Sequence, residues 1–112
     1  MKKILVIDDD AAICEVLAEA LTCFGHSVEA AYDGSQGIDF LKSHGQFEMV
    51  ITDINMPIMD GNEVARYIKR TFNGNRPQLI AITGCTEDAE RDLFDFLLEK
   101  PFKMEALQEV VN

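Results

Sequence analysis

Basic residues are scarce in this chain: 10 Lys and Arg stand against 20 Asp and Glu, for a formal net charge of −10. Nothing in it could neutralise a row of phosphates, which argues against nucleic acid as a partner. An acidic surface suits basic proteins or cations instead. Cysteine is also thin. Cys14, Cys23 and Cys85 are odd in number and lack C-x-x-C spacing, so neither a disulfide framework nor a zinc site is expected, and they read as reduced thiols in a cytosolic protein. The longest apolar runs are far too short to span a membrane. Met1-Lys2-Lys3 leads straight into strand residues, leaving no room for a signal peptide. Repeats, linkers and low-complexity segments are missing too. With 47% hydrophobic residues in 112 positions, residues 1–112 read as one globular domain whose core needs no staple.

What the chain does have is an alternation of strand and helix. Ile4–Ile7 is an aliphatic run without alternation, the pattern of a strand buried on both faces. Ile13, Val16, Leu17, Ala20, Leu21 and Phe24 recur at three- and four-residue steps and predict an amphipathic helix, capped by Asp9 or Asp10 and ended by Gly25. Val28–Tyr32 is a second strand, followed by a short helix with Ile38 and Leu41 that stops near Gly45. Met49–Thr52 is a third strand, and the loop Asp53–Gly61 leads to a helix from about Asn62 to Thr71. After the break at Asn73–Pro77, Leu79–Thr83 is the fourth strand, Glu87–Leu93 a short helix, Phe96–Leu98 the fifth strand, and a last helix starts near Lys103. Such β-α alternation implies an α/β doubly wound parallel sheet with helices on both faces and strand order 2-1-3-4-5.

Open sheets of this kind bind ligands above the carboxyl ends of their strands. Polar residues follow the strands there: Asp8, Asp9 and Asp10 after the first, Asp53 after the third, Thr83 at the end of the fourth and Lys100 after the fifth. Adjacent carboxylates repel, by roughly 4 kcal/mol per pair at ~4 Å and an effective dielectric of ~20. A proton or a cation must relieve them. Hard divalent ions prefer oxygen, so Mg²⁺ is expected, with Mn²⁺ or Ca²⁺ as competitors. An EF-hand is excluded, because Ile13 stands where that loop needs glycine. The set suits phosphoryl chemistry: a carboxylate nucleophile, and a cation, a lysine and a hydroxyl for the phosphoryl oxygens.

Val6-Ile7-Asp8-Asp9, Asp53-Ile54-Asn55-Met56-Pro57, Met59-Asp60-Gly61, Ile82-Thr83-Gly84 and Lys100-Pro101-Phe102 together resemble the receiver domain of two-component response regulators, over the whole chain and in order. The resemblance implies a flavodoxin-like fold and a phosphoacceptor role in phosphorelay signalling rather than a free-standing enzyme, with self-catalysed phosphoryl transfer and dephosphorylation. By position Asp53 is the phosphoacceptor. Asp8, Asp9, Asp53 and the backbone carbonyl of Asn55 would hold Mg²⁺. Thr83 is the switch hydroxyl, and Lys100 pairs with the acceptor or its phosphoryl group. The Lys100–Pro101 peptide is expected to be cis, aiming the lysine into the crevice. The implied partners are a histidine kinase or histidine phosphotransfer protein and a downstream protein, in the cytoplasm, with neither nucleic acid nor membrane engaged by this chain.

Two departures fall on the face that such domains commonly use for output. The stretch 84–99 is shorter than usual, so the fourth helix should be shortened, displaced or mobile, and the least stable element. Leu97, three residues before Lys100, stands where an aromatic is usual. Two other functions fit parts of the sequence. One is a receiver-like module that docks or dimerises without phosphorylation. The other is a haloacid-dehalogenase-type phosphatase using Asp8-x-Asp10, which leaves Asp53 and its Met-Pro loop without a role.

Overall fold

The computed structural model describes residues 1–43, 46–72 and 74–112. Five strands form one parallel sheet: β1 (Lys3–Ile7), β2 (Ser27–Ala31), β3 (Met49–Asp53), β4 (Gln78–Thr83) and β5 (Phe96–Glu99), in the order β2-β1-β3-β4-β5. Among the described residues four α-helices connect and cover them: α1 (Ala11–Cys23), α2 (Gly34–Ser43), α3 (Gly61–Thr71) and α4 (Met104–Val111). The expected stops at Gly45 and Asn73 lie outside the described residues. No helix among the described residues is long and apolar enough to cross a membrane.

Alternation along each strand divides the core in two. On one face Ile4, Val6, Met49, Ile51, Ile80, Ile82 and Leu98 meet Cys14, Leu17 and Leu21 of α1 and Leu107 and Val111 of α4. On the other, Leu5, Ile7, Val50 and Leu79 meet Leu41 of α2 and Val64, Ala65 and Ile68 of α3. That is why the strands read as continuous apolar runs: both faces are covered. Val16 departs from the expected stripe on α1. It is 53% exposed, and Cys14 takes the buried position beside Leu17 and Leu21. Gly25, at φ +95°, follows the end of α1 in the left-handed region.

The segment after Thr83 is shortened further than its periodicity suggests. It forms two separate 3₁₀ turns, Thr86–Asp88 and Arg91–Leu93, because Ala89, Leu93 and Phe94 are too few to cover a longer helix. Ala89 packs on Ile54 and Ala81, with Phe94 and Leu97 alongside. Polar bonds to α3 complete the anchorage. Asn62 donates to the carbonyl of Asp88 (2.8 Å) and accepts from the amide of Glu90 (2.9 Å). Arg66 pairs with Glu90, and Lys69 donates to the carbonyl of Asp92. The segment is thus tied to α3. Asp95 pins the entry to β5 by accepting from Arg76 and from the amide of Leu79.

Candidate functional site

Parallel register brings the strand ends level. Ile7 pairs with Thr52, Asp53 with Ile82, and Thr83 with Glu99, so Asp8, Asp53, Thr83 and Lys100 arrive at one edge of the sheet. One carboxylate oxygen from each of Asp8, Asp9 and Asp53 lies within 4.8 Å of the others. Asp8 is buried at 2% exposure, Asp53 is half-buried and Asp9 exposed. Lys100 Nζ sits 3.3 Å from Asp8 and 3.7 Å from Asp53. Its backbone amide donates to the carbonyl of Thr83 (2.9 Å), so β5 positions the ammonium through β4. The Lys100–Pro101 peptide is cis.

Desolvation pushes the Asp8 carboxyl above its ordinary value, against the Asp10 amide and Lys100, which favour the charged form. Asp53 is raised for the same first reason and by the charge of Asp8, against Lys100 and the Ile54 amide. Burial thus disfavours the charged form of both acids by more than the Lys100 ammonium favours it. Carboxylate oxygens at this spacing fit a small hard cation, which prefers oxygen ligands at about 2.0–2.1 Å. Asp10 stands apart: it caps α1 by accepting from the Ala12 amide (3.0 Å), while its own amide donates to Asp8 (2.9 Å). The third aspartate of the triplet is thus structural. Beneath it the Cys14 thiol donates to the Asp8 carbonyl (3.3 Å) and is pushed up to about 11 by burial and by the Asp8 charge, which leaves it unreactive.

Thr83 is fully buried, and its hydroxyl is exchanged with the backbone of Cys85 in a turn, at 3.1 Å to the amide and 3.1 Å to the carbonyl. The loop after Asp53 is folded back on it. The Gly61 amide donates to the Ile54 carbonyl, and a Cβ at Gly61 would lie 2.2 Å from the Asp53 carbonyl, so glycine is required there. Ile58 on this loop has φ +73° and is 84% exposed, a strained conformation for a β-branched residue. Asn55 is exposed in the same loop, and its side chain donates to Asp88 (2.9 Å). Sequence reasoning missed Asp88 and Asn62. The available signal was the spacing of Asn62, Arg66 and Lys69 along one helix face, opposite an acidic stretch from Glu87 to Asp92.

The family model for the response regulator receiver domain matches residues 4–112. The chain belongs to that family. Its curated relatives include the response regulator MprA of Mycolicibacterium vanbaalenii, 36% identical over 110 residues, covering 94% of this chain and 46% of the relative. The receiver domain thus spans about half the length of the curated relatives it matches. Among solved structures, the response regulator TrrA of Thermotoga maritima, in complex with Mg²⁺-BeF, is 32% identical with a TM-score of 0.87, covering 99% of this chain and 96% of that one. A receiver domain protein from Clostridium thermocellum gives 28% and 0.88, covering 100% and 92%. Leu97 lies on β5 opposite Ala81 and packs under the 3₁₀ segment, while the neighbouring Phe96 is 44% exposed.

Proposed function

We propose that residues 1–112 act as one receiver domain in which Asp53 accepts a phosphoryl group from the phosphohistidine of a histidine kinase or histidine phosphotransfer protein. A carboxylate oxygen of Asp53 attacks phosphorus; the P–N bond to the imidazole breaks, and its electron pair stays on the imidazole nitrogen. Water attack on the resulting acyl phosphate releases inorganic phosphate and restores the carboxylate. The receiver's own residues assist both steps, so transfer and dephosphorylation are self-catalysed. Asp8, Asp9, Asp53 and the Asn55 carbonyl would hold Mg²⁺ (or Mn²⁺), which supplies positive charge to the phosphoryl oxygens. Lys100 neutralises a further oxygen. Thr83 can bond another once its hydroxyl leaves the Cys85 carbonyl, which draws the 84–86 loop toward the site and alters the surface offered to a downstream protein. Such a relay operates in the cytoplasm.

The observation that carries this reading is the convergence of three carboxylates with one ammonium that reaches two of them. A docking module would have no need of that arrangement. The phosphatase alternative loses support because Asp10, the second carboxylate of its motif, is spent on capping α1. An apolar groove lined by Ile13, Val16, Leu17, Phe102 and Met104 opens beside Lys100, and offers a donor protein a surface next to the acceptor. The test is intact mass after incubation with Mg²⁺ and a small acyl phosphate. The parent chain should gain one phosphoryl group and Asp53→Asn none; retained labelling in that variant overturns the assignment.

A further inference from the structure

The 3₁₀ segment that replaces a longer helix does more than fill a gap over the sheet. Asn62, at 6% exposure, grips it from below: its side chain donates to the Asp88 carbonyl and accepts from the Glu90 amide. The Asp88 amide is itself tied to the Cys85 carbonyl (3.1 Å). With its backbone held on both sides and Ala89 packed on Ile54, the exposed Asp88 extends its carboxylate as an arm toward Asn55. That arm accepts from the Asn55 side chain at 2.9 Å. Among the described residues this is the one hydrogen bond that Asn55 makes.

We infer that Asp88 is a positioning residue for the cation site, acting through Asn55. The inference rests on the assignment of the Asn55 carbonyl as a cation ligand under the proposed function. A ligand in a loop holds an ion well only when something outside the coordination sphere fixes its orientation. Here the neighbouring anchors hold Ile54 and Met59, through Gly61 and Pro57, and among the described residues only Asp88 bonds to Asn55. The coupling is reciprocal by linkage: a cation that favours the oriented Asn55 also favours the docked 86–90 turn. The 3₁₀ segment after Thr83 thereby reports on the occupancy of the site.

Calorimetric titration with Mg²⁺ tests this on the whole chain. Asp88→Ala should weaken Mg²⁺ binding by about tenfold, the low end for outer partners of metal ligands. Asp88→Asn, which keeps an oxygen acceptor in place without the charge, should restore it to within about twofold of the parent, since positioning rather than field is at work. Asn55→Ala keeps the carbonyl and should match Asp88→Ala, with no further loss in the double variant. Hydrogen exchange gives a readout independent of affinity: Mg²⁺ should protect amides 86–90 in the parent and not in Asp88→Ala. Unchanged affinity in Asp88→Ala, or Asp88→Asn as weak as Asp88→Ala, overturns the inference while leaving the site intact. A parent chain that binds no Mg²⁺ overturns the site assignment and this inference together.

Discussion

The two halves of the sheet are held by different means. Around β1 and β3, Ile4, Leu5, Val6, Ile7, Met49, Val50 and Ile51 are covered by α1 and α4 on one face and by α2 and α3 on the other. Over β4 and β5, α3 reaches Leu79, and beyond it the same face carries two single 3₁₀ turns. These add to the packing of Ala89 on Ala81 the polar anchors Asn62, Arg66 and Lys69, reaching to Asp88, Glu90 and Asp92. Yet Thr83 and Lys100 stand level with Asp8 and Asp53 in both halves. Strand register, fixed by backbone bonding from Asp53–Ile82 and Thr83–Glu99 pairs, places the chemistry. The connection between the strands does not, and so can shrink without dispersing the site. What shrinks with it is the apolar contribution to local stability.

Breaking the apolar half should unfold everything. Ile51 is 1% exposed at the centre of the sheet, and Ile51→Ala should cost about 2–5 kcal/mol. Urea titration should show a lower midpoint with the same m value by every probe; loss confined to one region would mean that the halves are not one cooperative unit.

Breaking the polar half should stay local. Asn62→Ala leaves the Asp88 carbonyl and the Glu90 amide without partners, at a cost of about 1–3 kcal/mol, part of which water recovers once the segment lifts. Amides 85–95 should then exchange faster while β1 and β3 amides remain as protected as in the parent. Equal deprotection of the central strands would erase the distinction drawn between the halves.

The smallest effect expected is with pH, and the two halves oppose each other. The raised carboxyls of Asp8 and Asp53 bind protons more tightly in the folded chain than in the unfolded one, whose value is the ordinary 3.8. Without a cation, they add stability as the pH falls from neutral through their folded values toward 3.8. Asp95 runs the other way. Burial would raise it, but the Arg76 hydrogen bonds, the Leu79 amide and the positive charges of Arg76 and Lys69 hold it below 3.8. Its contribution is present above 3.8 and is lost as the pH falls through its lower folded value. Melting curves of Asp8→Asn and Asp95→Asn should lose opposite parts of the parent's pH profile. A slope unchanged above 3.8 in Asp8→Asn would show that the buried pair is not the source.

Much of this was legible in the amino-acid order. Runs such as Ile4–Ile7 and Leu79–Thr83 can only be strands covered on both faces, and strand–helix alternation then leaves one economical sheet order with its polar ends on one edge. The carboxylates, Thr83 and Lys100 could be named because each directly follows or ends such a run. Exposure on α1 was not legible: Val16 and Cys14 both lie near the apolar stripe, and only the placement of α4 and the sheet decides which is covered. Nor was the division of labour among Asp8, Asp9 and Asp10, since a capping carboxylate and a cation-facing one are chemically identical until the helix axis is set. The segment after Thr83 shows the limit most clearly. Its few apolar residues predicted shortness, a local property, but its anchorage depends on Asn62, Arg66 and Lys69 across a gap of more than twenty residues. Periodicity records what a residue needs to bury, whereas the partner that satisfies a polar side chain is chosen by the tertiary fold.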